Sequence, residues 1–357
     1  MDQTRLARVA ANMAAQGLEQ IVVTATASVY YLTGIYVEPM ERMLALLIRD
    51  DGSCTLYANE LFAIPPQPDL PMKLHTDSDD PAAILAADLK PGKLGVDKSW
   101  PSKFLIGILS RRSDIVPVLG SAPVDDARMC KDAAEIDAMR RASKINDQVM
   151  AATIQAIHAG ATENELAGLV EQRFKDHGAD RSNEGQLVCF GPNGADPHHG
   201  PNDTVLQRGD SVVMDIFIPI GRYWCDMTRT VFFGGVSEEG RRVYETVRAA
   251  NEAAEAMIRP GIPMKDIDAA ARKVIIDAGY GPYFTHRLGH GCGLECHEPP
   301  DNSSACEVLT RPGMVFSVEP GIYLPGRLGV RIEDLVLVTE TGCEVLNAYP
   351  KDLLVVE

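Results

Sequence analysis

The sequence predicts a mixed α/β protein, of the α/β (α+β) class, in two unequal parts, and three observations carry that expectation. Helical and strand-like patterns alternate through residues 3–118, which is the signature of a small α/β domain. A stretch of Gly, Pro, charged and small residues at 119–134 then interrupts the pattern and marks a domain junction. Beyond it, long helical patterns are interleaved with long apolar strands. A chain of 357 residues suits two domains at about 150 residues each and can bury a core without disulfide staples. The expected division is 1–122 and 123–357.

In the first part, residues 3–16 read as a helix, 20–24 and 42–49 as strands, and the sequence Ser78-Asp79-Asp80-Pro81 as the cap of a helix running to Leu89. Residues 94–96 read as a strand and 101–110 as a helix. In the second part a long helix is expected over 134–160, and Thr162-x-x-Glu165 reads as a capping box opening the next helix. Strands are expected over 211–217, 223–233, 314–318 and 331–338, and helices over 237–258 and 264–278. Pro260-Gly261 and Gly279 punctuate them. No solenoid-type repeat is visible.

Charge and composition narrow the function. Fifty acidic residues against 34 Lys and Arg leave a net charge of -16, a field that repels phosphate backbones, so no nucleic-acid partner is expected. The longest apolar runs, such as 43–48, fall far below the ~18–20 residues that span a bilayer, and no membrane partner is expected. The N-terminus has no signal-peptide core, and none of the eight cysteines forms a C-x-x-C pair. A cytoplasmic protein with core or incidental thiols is the expectation.

The chemistry concentrates in the second part. Asp215 closes the apolar run Val212-Val213-Met214, and Asp226 lies inside the strand pattern Tyr223-Trp224-Cys225-Asp226-Met227-Thr228. The connection between them, with Pro219 and Gly221, is hairpin-like, so paired antiparallel strands bring both carboxylates to one place. Buried acids flanked by Val, Phe, Trp and Met require partners. His286, His290 and His297 crowd into the glycine-rich segment 286–299. Glu319 follows the strand at 314–318, and Glu333 heads the apolar run that starts at Leu335.

Asp215, Asp226, His290, Glu319 and Glu333 together make four carboxylates and one imidazole. Acids so gathered repel one another unless cations neutralise them. Two divalent ions balance four carboxylates, and oxygen-rich ligation with one nitrogen suits Mn²⁺, Co²⁺, Fe²⁺ or Zn²⁺. Two such ions about 3.5–4 Å apart can hold a bridging hydroxide and clamp a carbonyl oxygen.

Several motifs make the chain resemble the prolidase and Xaa-Pro aminopeptidase family, over nearly its whole length. They are Ser28-Val29-Tyr30-Tyr31-Leu32-Thr33-Gly34, the junction from Lys131-Asp132 to Ala142, Gly191-Pro192-Asn193 with Pro197-His198-His199, the two-aspartate strand pair, 286–299, Glu319-Pro320-Gly321-Ile322-Tyr323, and Arg331-Ile332-Glu333-Asp334. The resemblance implies a small creatinase/prolidase-type N-terminal α/β domain followed by a pita-bread catalytic domain. It implies Xaa-Pro dipeptidase or aminopeptidase activity on proline-containing dipeptides or short peptides, two divalent metal ions per subunit with manganese first, and a homodimer. By position, Asp215 holds one metal, Asp226 and Glu333 bridge both, and His290 and Glu319 hold the other. His198 and His297 match histidines that contact substrate or the tetrahedral intermediate, and Glu319 also matches the group that moves the proton of the nucleophilic water. His286, Tyr323 and Arg331 match substrate-pocket or supporting residues, while His199 has no assigned role.

One departure stands out. Where the family commonly has a small residue two positions after the first metal aspartate, this chain has Phe217. Two other functions are compatible with the scaffold. A hydrolase or lyase of a small non-peptide metabolite would keep the ligand set, whereas a non-enzymatic peptide-binding module would have lost it.

Overall fold

The apolar segments of the first part pair into one mixed six-stranded sheet. Its order is Met72–His75, Cys54–Asn59, Leu44–Arg49, Gln20–Val23, Gly92–Val96 and Ile115–Leu119. Gln20–Val23 is antiparallel to Leu44–Arg49 and parallel to Gly92–Val96. Gln20–Val23 is buried throughout; Ile21 to Val23 form its apolar run, and the Gln20 side chain is paired with the Lys90 backbone. Helices Pro81–Ala86 and Ser102–Leu109 supply Ala82, Leu85, Phe104 and Ile108 to the core beside this sheet. Asp80 caps the first of them, as its sequence position predicts, but that helix ends at Ala86 rather than Leu89.

The computed structural model describes residues 1–180 and 185–357. These form two compact units, Met1–Arg128 and Met129–Glu357. The division falls beyond the expected 122/123 junction, because the segment after Gly120 is not a linker. Ala122–Met129 is a helix with Val124 and Ala127 buried, and the Tyr31 hydroxyl donates to the Ala127 carbonyl at 3.0 Å.

The larger unit holds two cores. In one, the helices Ala133–Gln155 and Glu163–Asp176 pack on a four-stranded sheet ordered Val355–Val356, Tyr223–Phe233, Ser211–Ile220, Leu187–Phe190. In the other, the helices Glu238–Glu255 and Met264–Asp277 pack on a five-stranded sheet and a two-stranded one. The five-stranded sheet runs Glu298–Asn302, Gly289–Gly291, Val315–Val318, Asp334–Val338, Cys343–Val345, and the two-stranded one pairs Gly321–Leu324 with Leu328–Arg331. Among the described residues no helix is long and apolar enough to cross a membrane.

Two local expectations change. The strand expected over 331–338 is two strands, Leu328–Arg331 and Asp334–Val338, in different sheets. Ile332 and Glu333 carry the chain across, with their amides bonded to the carbonyls of Pro320 and Thr228. At the second junction helix, the Thr162 hydroxyl accepts from the Glu165 amide, but the Glu165 carboxylate turns to His158 at 3.3 Å instead of closing a capping box. A full capping box does open Ala133–Gln155, between Asp132 and Glu135. Asp132→Ala removes the acceptor for the Glu135 amide, and we expect it to cost about 1 kcal/mol, read as a lower midpoint in urea unfolding at unchanged slope.

Candidate metal centre

The hairpin Ser211–Ile220/Tyr223–Phe233 sets the first two acids. Its two-residue turn has both central residues, Gly221 and Arg222, at positive φ (58° and 75°), the twist that suits a tight hairpin. Phe217 then pairs with Asp226, and Asp215 with Thr228. Because side chains alternate along a strand, Asp215, Phe217, Trp224, Asp226 and Thr228 share one face.

The remaining candidates come from the second core. The strands Val315–Val318 and Asp334–Val338 are antiparallel with Val318 opposite Asp334, so Glu319 and Glu333 leave the same end of the pair side by side. His290 sits between two glycines where strands approach too closely for a side chain. A Cβ on Gly289 would collide with the Ser317 carbonyl, and one on Gly291 with that of Glu298.

The four acids, His290, Phe217 and Trp224 line one cavity of about 650 Å³. It is bordered by His198, Asp215, Phe217, Trp224, Asp226, His286, Arg287, His290, His297, Glu319, Arg331 and Glu333, together with Leu187, Pro197 and Cys296. Among the described residues, one ligand atom each from Asp226, His290 and Glu333 lies within 4.8 Å of the others, and all three residues are buried. His290 Nε2 is 3.4 Å from Glu319 Oε1. Asp215 stands apart from the tight trio, with Oδ2 held by Arg331 at 2.8 Å and Oδ1 buried without a hydrogen-bond partner. Tyr323 lies behind the wall. Its hydroxyl accepts from Arg331 at 3.0 Å and meets His286 Nε2 at 2.8 Å.

The electrostatics suit cation binding. Burial raises the Asp226 carboxyl well above its usual range, with Asp215 and Glu319 adding to the effect. Burial does the same to Glu333, helped by Asp226 and Glu319. It also raises Glu319 to about 7, against the opposing pull of Arg331. Acids held this way are destabilised as anions until positive charge answers them. His290 is pushed down to about 3 by burial and by the neighbouring His297, whose ring centroid is 3.9 Å away. Its Nδ1 lies 3.1 Å from the Gly291 carbonyl, an acceptor only, so the proton belongs there and the Nε2 lone pair faces the carboxylates. The donor set, its mutual repulsion and the orphaned Asp215 Oδ1 all fit divalent cations.

Several supporting residues escaped the sequence reading. Thr228 Oγ1 donates to Glu333 at 2.7 Å and accepts from Arg331 Nε at 3.0 Å, tying the two sheets together beneath the acids. The Ser317 hydroxyl donates to Glu319 at 3.2 Å and accepts from the His290 amide at 3.0 Å. The fully buried Glu163 takes four donors: the amides of Phe190 and Asn202, the Asn193 side chain and His199 Nε2, at 2.7–3.1 Å. It thereby braces the loop that carries His198, and His199 is a strut in that brace. In the sequence Glu163 reads as an ordinary first-turn acid, and only its tertiary contacts distinguish it.

The model of metallopeptidase family M24 matches residues 137–340, and that of the creatinase/prolidase N-terminal domain matches residues 5–130. The chain belongs to metallopeptidase family M24. This M24 chain is 34% identical to an uncharacterized peptidase of Staphylococcus saprophyticus, over 97% of its own length and 100% of the relative's. Among solved structures it is similar to a prolidase from Thermococcus sibiricus, with TM-score 0.93, 34% identity and full coverage of both chains. It also resembles the dipeptidase PepE from Mycobacterium ulcerans, with TM-score 0.90 and 35% identity over 99% of this chain and 97% of that one.

Glu333 is held in this M24 chain by a buried cation next door. Arg229, 1% exposed, donates to the carbonyls of Glu333 (2.6 Å) and Thr228 (2.9 Å) and pairs with Asp334 at 2.7 Å. Lys351 reaches the other oxygen of Asp334 at 3.0 Å. Arg229→Met therefore strips one of two cations from a buried acid. We expect a loss of about 3 kcal/mol, the low end for a broken buried pair because Lys351 remains, measured by urea denaturation.

Proposed function

We propose that this M24 chain is a metal-dependent Xaa-Pro dipeptidase. The observation that carries the reading is the convergence of Asp226, His290 and Glu333, with Glu319 and Asp215 beside them, in a cavity also lined by His198, His286 and His297. A volume of about 650 Å³ suits a dipeptide-sized ligand. The resemblance to proteins described as a prolidase and a dipeptidase supports the same substrate class. An Xaa-Pro bond is a tertiary amide without an N–H, so its recognition rests on the carbonyl and on the groups around the ring.

Asp215, Asp226, His290, Glu319 and Glu333 are the residues that would hold two divalent cations. Held there, the cations would supply Lewis acidity toward the scissile carbonyl and make the attacking water more acidic. The Glu319 carboxylate takes the proton of the attacking water and returns it to the departing proline nitrogen. His198 and His297 direct N–H groups at the oxyanion that develops on the carbonyl. His286 is pushed down to about 4 by burial and Arg331, and so stays neutral. Its Nδ1 donates to the Arg287 carbonyl at 2.7 Å, which leaves Nε2 to accept from Tyr323. The chain His286–Tyr323–Arg331 thereby orients Asp215. We extend the reading to manganese as the resident ion and a homodimer, both resting on the family resemblance, and to a cytoplasmic location, which the cysteine usage suits.

The test is a matched panel of Xaa-Pro dipeptides, Xaa-Pro-Yaa tripeptides and proline-free controls, assayed before and after metal stripping and after Mn²⁺, Co²⁺ or Zn²⁺ is restored. We expect preferential turnover of the dipeptides, more than about 100-fold loss on stripping, and recovery on add-back. Undiminished turnover in the stripped protein would refute the metal dependence. Turnover of a non-peptide amide with none on the proline panel would move the assignment to a small metabolite. Asp226→Asn and Glu333→Gln should each lower bound metal, counted by elemental analysis, and activity together.

A further inference from the structure

The cavity is chemically two-sided. Imidazoles and arginines line one side, through His198, His286, Arg287, His297 and Arg331. The face of the four-stranded sheet lines the other. There Leu187 pairs with Asp215 across one strand boundary and Phe217 pairs with Asp226 across the next, so Leu187, Phe217 and Trp224 stand beside the two aspartates. The rings of Phe217 and Trp224 lie 6.3 Å apart and tilted by 33°, which makes a continuous apolar surface.

This surface is held in place. The side chain of Gln186, 2% exposed, grips the Phe217 backbone from both sides, accepting from its amide at 3.1 Å and donating to its carbonyl at 2.9 Å. The Trp224 amide donates to the Gly293 carbonyl at 2.8 Å. Both aromatic residues thus present preset positions rather than adaptable ones.

We propose that Leu187, Phe217 and Trp224 form the specificity wall for the residue on the acyl side of the scissile bond, that the wall selects an uncharged apolar side chain, and that Phe217 is its determinant. The proposal rests on the dipeptidase reading. Glu319, which serves the departing nitrogen, belongs to the second core, so the leaving proline lies toward it. The acyl side chain is then directed at the opposite wall, the sheet face. An aliphatic or aromatic side chain there exchanges water for the two rings, and that burial favours binding in proportion to its apolar area. A carboxylate side chain would instead be desolvated against the rings, without the gain of apolar burial.

The test compares Leu-Pro, Phe-Pro, Gly-Pro and Asp-Pro as substrates of the metal-loaded wild type and of Phe217→Ala and Phe217→Leu, with folding of each variant checked by thermal melting. We expect the wild type to favour Leu-Pro over Gly-Pro and to handle Asp-Pro poorly. Phe217→Ala should lower the Leu-Pro to Gly-Pro ratio of kcat/KM about 10-fold, and Phe217→Leu should restore most of it. An unchanged ratio in a folded Phe217→Ala protein overturns the proposal. So does a change confined to ring-substituted proline analogues, which would put the proline on this wall. A second readout needs no turnover. Trp100 and Trp224 are the chain's two tryptophans, so in a Trp100→Phe background Trp224 fluorescence reports on the wall alone. Titration with L-leucine should perturb it where glycine does not, and silence toward leucine overturns the wall. Absent turnover of every Xaa-Pro peptide, with leucine still perturbing Trp224, would remove the dipeptidase reading and leave the wall standing.

Discussion

Four carboxylates share one buried cavity, and their mutual repulsion is the constraint around which the larger unit is organised. Each acid is held by a neighbour that limits how far it can retreat. Arg331 grips Asp215, Thr228 donates to Glu333, Ser317 donates to Glu319, and the Cys296 thiol lies 3.5 Å from Asp226. These contacts keep the anions close without neutralising them, since three of the four carboxyls stay raised above their ordinary range. The remaining imbalance is what makes the cavity attractive to divalent cations. A site that satisfied its own charges would have no use for them.

Much of this was visible in the sequence, for identifiable reasons. The hairpin that pairs Asp215 and Asp226 with one face was legible because alternation and a Pro/Gly connection are local signals. Glu319 and Glu333 were legible as acids at the ends of apolar runs. Their side-by-side placement was not, because it depends on Val318 standing opposite Asp334. The break at Ile332 and Glu333 was missed for a related reason. Apolar periodicity continues through it, and only the two carbonyls that receive those amides, from distant parts of the chain, turn it.

The supporting residues were the least legible. Glu163 follows a capping threonine and looks like a helix-dipole acid. Its role comes from four donors that lie 27 to 39 residues away along the chain. Thr228 and Ser317 are small polar residues in strands, a position with no distinctive pattern. The division of the two compact units lies inside the expected stretch 119–134 but beyond 122/123, because the small and charged residues of Ala122–Met129 form a helix that buries Val124 and Ala127. Composition can show that a segment is polar, but not that its few apolar residues have a core to enter.

The proposed ligand set is also divided between two separately packed cores. Asp215 and Asp226 ride on the sheet under the helices Ala133–Gln155 and Glu163–Asp176, while His290, Glu319 and Glu333 ride on the sheets under Glu238–Glu255 and Met264–Asp277. A cation held by both groups would therefore be a rivet between two halves. By thermodynamic linkage, whatever free energy it gains on binding becomes cohesion of the unit, so an ion chosen for its chemistry doubles as a structural fastener.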